Sequence, residues 1–333
     1  MQDHLRPRPV PASKDELGAA GQAPHVRQRT TSEDAMSSDQ FTAQDPVGQY
    51  PRPDFAEQSQ PYPGRSERMD PEPDYGEASY RGTGRLRDRV ALITGGDSGI
   101  GRAVALAYAR EGADLLFCHL AAEEEDAAET VRLVREAGRR AVKVAGDVRE
   151  EGFCAELVGR TVDELGGLDV LVNNAAYQMA QEEGLAAIST DQFDRVMKTN
   201  VYAMFWLCQA ALPHLRPGSS IINTASVQAY QPGSHLLDYA ASKGAIVTFT
   251  QGLAQQLAPD GIRVNAVAPG PVWTPLIPAT MPPDRVAAFG RQSPLGRPAQ
   301  PAEMAPLYVF LASQEASYIT GEIVNATGGR PLP

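Results

Sequence analysis

From Asp88 onward, short apolar runs alternate with stretches of helical periodicity. The runs cover 90–93, 114–119, 141–144, 170–172, 220–224, 263–267 and 322–325, and they are rich in Val, Ile and Leu. They lack the alternation of a half-exposed strand, so each predicts a strand buried on both faces. Between them lie amphipathic stretches at 101–111, 127–137 and 239–257, which predict helices. Strands and helices in alternation predict βαβ units. The fold class is therefore α/β: one doubly wound, Rossmann-like domain with a seven-stranded parallel sheet, over 85–333. Neither a second core nor an internal repeat is visible.

The first 80 or so residues follow another rule. They are crowded with Pro, Gln, Ser, Asp and Arg and hold few aliphatics, too few to offset the entropy of ordering. Residues 1–65 are expected to form a largely disordered extension. Tyr50, Phe55, Tyr62, Tyr75 and Tyr80 sit among prolines, and spaced aromatics on an extended chain can anchor it to a folded surface. Residues 66–84 are accordingly expected to be an extended arm packed on the core.

Composition narrows the class. With 42% hydrophobic and 21% charged residues the chain is ordinary globular material. The net charge of -11 argues against a nucleic-acid partner, whose footprint would be basic. Cys118, Cys154 and Cys208 are scattered and form no CxxC pair. They read as small buried apolar residues in a reducing compartment, and nothing has metal-ligand spacing. No apolar run approaches the roughly 20 residues of a membrane span. The start, MQDHLRPRPVPASKDELG, lacks the apolar stretch of a secretory signal, so the cytoplasm is expected.

The chemistry begins after the first strand, at Thr94-Gly95-Gly96-Asp97-Ser98-Gly99-Ile100-Gly101. A strand, a glycine turn and a helix start place backbone N–H groups and the positive helix end where a pyrophosphate can bind. Gly95 permits the turn, Gly99 close approach of the phosphates, and Gly101 close packing of helix on strand. The spacing TGxxxGxG resembles that of the short-chain dehydrogenases/reductases, a likeness running from about Gly84 to the end. That resemblance implies an NAD or NADP cofactor held by Gly95, Asp97, Ser98, Gly99, Ile100 and Gly101. It further implies His119 and Leu120 after the second strand, and Asp147 with Val148 at the adenine. Asn173-Asn174-Ala175-Ala176 resembles the family's NNAG with its last glycine replaced, placing Asn174 and Ala175 at the cofactor. Pro269, Gly270, Val272 and Thr274 resemble the loop that holds the nicotinamide carboxamide.

Tyr239 and Lys243 form a YxxxK pair on one face of a helix. A phenol titrates near 10, and a nearby cation would favour its ionised form. A tyrosine so tuned can pass a proton to or from a substrate oxygen. The resemblance adds Ser226, which positions that oxygen, and Asn200, which supports a water-mediated proton relay to Lys243. It also gives Tyr239 and Lys243 a place at the cofactor. Within the family, Gly95 to Gly101, Ile221-Ile222-Asn223-Thr224-Ala225-Ser226 and Ala268-Pro269-Gly270-Pro271-Val272-Trp273-Thr274-Pro275 resemble bacterial members of the general-stress-protein kind, described as aldehyde or alcohol reductases.

NAD and NADP stay open. His119 stands where an acid would select NAD, Ser98 where a base often marks NADP users. Arg102 reads as either a phosphate contact or a solvent-facing residue, and the acids at 123–126 as a solvated helix start. The substrate pocket is expected to use Val227, Gln228, Tyr230, Tyr177, Gln178 and the proline-rich lid 273–301. Tyr230, Trp273 and Phe289 favour a small or apolar carbonyl or alcohol substrate. The alternatives are a sugar or polyol dehydrogenase, a 3-oxoacyl-thioester reductase, or a dinucleotide-sensing module without turnover. The family further implies a homotetramer.

Overall fold

The computed structural model describes residues 39–332, so the expectation of disorder over 1–38 lies outside the described residues. The seven apolar runs form β1 (Val90–Thr94), β2 (Asp114–His119), β3 (Ala141–Ala145), β4 (Val170–Asn173), β5 (Ser220–Thr224), β6 (Arg263–Pro269) and β7 (Ile323–Ala326). All pair in parallel, in the order β3-β2-β1-β4-β5-β6-β7. Every residue of β1, β2, β4 and β5 is buried, which is why these strands read as continuous apolar runs.

Helices cover both faces. On one lie α1 (Gly99–Arg110), α2 (Glu124–Glu136) and α9 (Pro301–Ala312), burying Val104, Tyr108, Val134 and Val309 against the sheet. On the other lie α3 (Glu151–Leu165), α5 (Ala203–Ala211) and α6 (Leu237–Leu257), contributing Leu157, Val158, Leu207 and Ile246. A helix α4 (Thr190–Met197) leads into α5 through a π-helical turn at Lys198–Tyr202. Two short helices, α7 (Leu276–Thr280) and α8 (Pro283–Ala287), follow β6. The chain order reverses between β1 and β4, so the crevice at the carboxyl ends of these strands is where such a sheet binds ligands.

Among the described residues, packed contacts are already present from residue 39, well before the expected start of the arm at 66. Phe55 stacks on Trp273 with ring centroids 4.4 Å apart, and the Trp273 indole N–H donates to the Pro71 carbonyl at 2.8 Å. Buried Glu111 accepts the Tyr80 hydroxyl at 2.6 Å, the N–H groups of Thr83 and Arg85, and the Arg85 guanidinium. Asp39 is itself buried and takes the Arg81 guanidinium at 2.8 Å. An extended Pro-rich chain cannot pair its own backbone, and here the domain surface supplies the partners. Nothing periodic in the arm announces that.

Candidate active site

One cavity of about 590 Å³ opens at the carboxyl ends of the strands, within the roughly 300–1,000 Å³ usual for ligand pockets. Its wall brings together Gly95, Asp97, Ser98, Gly99 and Ile100 of the glycine turn with His119 and Leu120 after β2. Asp147 and Val148 after β3, and Asn174 and Ala175 after β4, continue it. Ser226, Tyr239, Lys243, Pro269, Gly270, Val272 and Thr274 complete it. Gly101 and Asn200 lie behind this wall. Two of the buried thiols stay out of it, while Cys118 reaches its edge, pushed up to about 12 by burial.

The glycine turn is built for close approach. A Cβ on Gly101 would come within 1.9 Å of the Gly95 carbonyl oxygen, so α1 could not start where it does with any other residue. Gly95 has φ +63°, and its carbonyl accepts the Asn174 side-chain N–H at 3.2 Å. Thr94 Oγ1 accepts the N–H groups of Asn174 and Ala175, tying the turn to the end of β4. No side chain caps the start of α1 at Ser98, which leaves its first N–H groups for a ligand. Asp97 is buried with Oδ2 unpartnered among the described residues, and burial pushes its carboxyl above the usual carboxylate range. Among those residues Asp88 is the non-glycine with positive φ, so Ala176 replaces the family's glycine without backbone strain.

Two expectations about the charges here need correcting. Arg102 faces neither solvent nor a phosphate: it is buried, pairs with Asp126 at 2.7 Å, donates to the Asp97 carbonyl at 2.7 Å and lies over the Tyr75 ring. The acids at 123–126 are only partly a solvated helix start. Asp126 is buried, and Glu123 lines the cavity, accepting the Leu120 N–H at 2.9 Å. Burial, then the charge of nearby Asp97, pushes Glu123 up. Arm residues cover two of these groups, Tyr75 the Arg102 guanidinium and Ser66 the Asp126 carboxylate, and the helix pattern alone could not show it.

Tyr239 stands one turn before Lys243 on α6, whose start packs against the end of β5. Lys243 is buried and donates to the Thr224 carbonyl at 2.6 Å, its Nζ 5.3 Å from the centre of the Tyr239 ring. The expectation that the lysine draws the phenol down is not met. Burial dominates both groups: it pushes Tyr239 up to about 12, partly offset by a hydrogen bond with Ser226, and brings Lys243 down to about 7. At neutral pH the phenol thus keeps its proton. Asn200 is held by Tyr177, accepting its N–H at 2.8 Å and donating to its carbonyl at 3.0 Å, and it donates to Ser242 Oγ at 2.9 Å. It does not touch Lys243, but a cavity of about 10 Å³, near the size of one water, lies between them.

The lysine carries a testable signature. Between about pH 7 and its ordinary 10.5, Lys243 binds fewer protons folded than unfolded, so it makes stability rise with pH across that window. Below pH 7 its burial penalty is present in full. Lys243→Met is expected to flatten that rise. Paired denaturant titrations of the two proteins from pH 6 to 10 check it, and parallel curves would refute the burial of a titrating lysine.

At the substrate end the lining differs from expectation. Val227, Gln228 and Gln178 face the cavity with Leu236, His235 and Arg285. Trp273 is fully buried under the arm, Tyr230 packs on the core, and Tyr177 stacks on Arg195. Only Phe289 of the three aromatics expected to set an apolar pocket lines it. Sequence reasoning also missed Arg149, Arg195, Glu123 and Tyr62. Arg149 binds Asp147 at 2.6 Å and, against burial, holds that carboxyl below its usual range. Lone arginines in helices and loops carry no pattern that would single them out.

Comparison with known proteins places this geometry. A family model described as enoyl-(acyl carrier protein) reductase matches residues 95–330. The chain is 51% identical over 283 residues to general stress protein 39 of Bacillus subtilis, covering 85% of this chain and 98% of that one. It is 48% identical over 273 residues to the glucose and ribitol dehydrogenase homolog 2 of Arabidopsis thaliana, covering 80% and 94%. Among solved structures, a short-chain dehydrogenase from Burkholderia cenocepacia in complex with NADP superposes with a TM-score of 0.69 at 34% identity, over 74% of this chain and 98% of that one.

Proposed function

The chain belongs to the short-chain dehydrogenase/reductase family of oxidoreductases, and from that premise we propose that it is an NAD(P)-dependent carbonyl reductase, reversible as an alcohol dehydrogenase, with Tyr239 as its proton donor. The observation that carries the reading is the placement of Tyr239 in the cavity wall together with Ser226 and Lys243. A nicotinamide dinucleotide suits the residues present: the glycine cradle a Cβ would fill, the uncapped start of α1 and the unpartnered Asp97 Oδ2. Gly95, Ser98, Gly99 and Ile100 would hold its pyrophosphate, Leu120, Asp147 and Val148 its adenosine, and Val272 with Thr274 its carboxamide. When bound it supplies or accepts a hydride. The chain's own residues do the rest. Tyr239 Oη gives a proton to the substrate oxygen, Ser226 Oγ orients that oxygen, and Lys243 with Asn200 and the small cavity between them returns the proton from solvent.

A second reading, a polyhydroxy substrate such as a sugar or polyol, gains support from the polar groups Gln178, Gln228 and His235 at the substrate end and from the plant relative's name. Both readings meet in one assay. Absorbance at 340 nm is followed with NADH or NADPH and a panel of aldehydes and ketones, and with NAD or NADP and a panel of polyols and aldoses. Turnover of one cofactor is expected on one panel. If both cofactors bind and neither panel turns over, the proposal gives way to a dinucleotide-sensing role.

A further inference from the structure

We propose that Tyr62 of the N-terminal arm and Arg195 of α4 form the outer wall of the adenosine end of the cofactor site, so that the arm itself helps hold the dinucleotide. The inference rests on the cofactor reading above and adds two residues that the glycine turn and its family motifs do not include.

Residues 60–66 cross the mouth of the cavity from one wall to the other. On the nicotinamide side the Gln60 N–H donates to the Pro278 carbonyl at 2.9 Å. Gly64 lies so close to Pro275 that a Cβ would meet its carbonyl oxygen at 2.5 Å. On the opposite side the Ser66 N–H donates to Asp126 Oδ2 at 3.1 Å, Ser66 Oγ accepts the Tyr75 hydroxyl at 2.7 Å, and Arg65 pairs with Glu125. The first contacts fall beside the lining residues Leu276 and Ile277, the second on Glu125 and Asp126, just past the lining Glu123. Between them, Tyr62 and Pro63 face into the cavity.

The Tyr62 ring meets Tyr177 edge-on, centroids 5.0 Å apart at 83°. The Arg195 guanidinium lies 4.7 Å from the centre of the Tyr62 ring and 4.1 Å from that of Tyr177. Arg195 also faces the cavity, and its charge helps hold down the carboxyl of Asp147, which marks this as the adenosine end. A phenol ring and a guanidinium fixed by two aromatic faces offer flat, cationic surface of the kind on which a purine stacks. If Tyr62 served only to pin the arm, neither its exposure to the cavity nor the placement of Arg195 beside Asp147 would be needed.

The test separates the adenosine half of the ligand from the rest. Binding of ADP-ribose, or its 2′-phosphate if NADPH is the cofactor oxidised, is measured by calorimetry on the full chain, alongside the complete dinucleotide. Tyr62→Ala and Arg195→Ala are each expected to weaken both ligands by about tenfold or more, and Tyr62→Phe to bind as wild type does. Unchanged ADP-ribose affinity in both alanine variants overturns the inference. So does a loss confined to the complete dinucleotide, which would report a disturbed lid instead. Thermal melting without ligand identifies a Tyr62→Ala protein that fails to fold, and Arg195→Ala with Tyr62→Phe then decides. Wild type that binds neither ligand would sink the cofactor reading itself, whereas wild-type binding with indifferent variants sinks this inference alone.

Discussion

Tyr239→Phe is expected to lower the rate of carbonyl reduction by about 10²–10⁴-fold, the usual worth of a positioned general acid. The ring is kept, so the packing at the start of α6 is unchanged and only the hydroxyl is lost. Burial pushes that hydroxyl up to about 12, so it holds its proton throughout the neutral range. On the proposed mechanism that proton is the one delivered to the substrate oxygen in reduction, with the Lys243 Nζ, brought down to about 7, lying 5.3 Å from the ring centre. The variant is to be compared with wild type in kcat at saturating cofactor, with ADP-ribose affinity as the control for folding and site integrity. A variant that turned over at the wild-type rate would remove Tyr239 from the mechanism.

Arg102→Ala is expected to cost about 3–5 kcal/mol of stability, the range for stranding one partner of a buried ion pair. The guanidinium is buried, pairs with Asp126 and also donates to the carbonyl of Asp97. Without it Asp126 would sit in the interior near Asp97 and Glu123 with no opposing charge. For a domain of this size the loss corresponds to a fall in Tm on the order of 10 °C. A double variant, Arg102→Met with Asp126→Leu, is expected to recover much of it, since replacing both charges by apolar groups leaves nothing stranded. Thermal and urea melts of the three proteins make the comparison. A single variant within about 1 kcal/mol of wild type would show that water reaches and screens the pair.

The same pair explains why the arm and the site cannot be treated apart. Tyr75 of the arm covers the Arg102 guanidinium at 4.6 Å, and Ser66 donates to the Asp126 carboxyl. Arm residues thus complete the environment of a charge that supports the glycine turn. On the other side, the arm takes the Trp273 indole N–H and stacks Phe55 on its ring, between Val272 and Thr274, the residues proposed to hold the carboxamide. The arm also donates the Gln60 N–H to the Pro278 carbonyl in α7 and the Phe55 N–H to the Ala287 carbonyl in α8, so it holds the segment 273–287 at several points.

What the sequence by itself determined is the local and the periodic. Buried parallel strands read as apolar runs, so all seven strands were legible with ends shifted by at most two residues, although β3 and β7, at the two edges of the sheet, are only partly buried and not covered on both faces as expected. The glycine turn was legible because only a residue without Cβ fits 1.9 Å from the Gly95 carbonyl. Tyr239 and Lys243 were legible because one helical turn puts i and i+4 on one face. Only the tertiary structure decided the rest. Whether Trp273 served the substrate or the arm depended on Phe55, more than two hundred positions away. Whether Arg102 met solvent depended on Tyr75 and Asp126, and the direction in which Tyr239 and Lys243 titrate depended on how much water the surrounding protein excludes. Burial and electrostatics sum over every neighbour in space, while a sequence pattern records only neighbours along the chain.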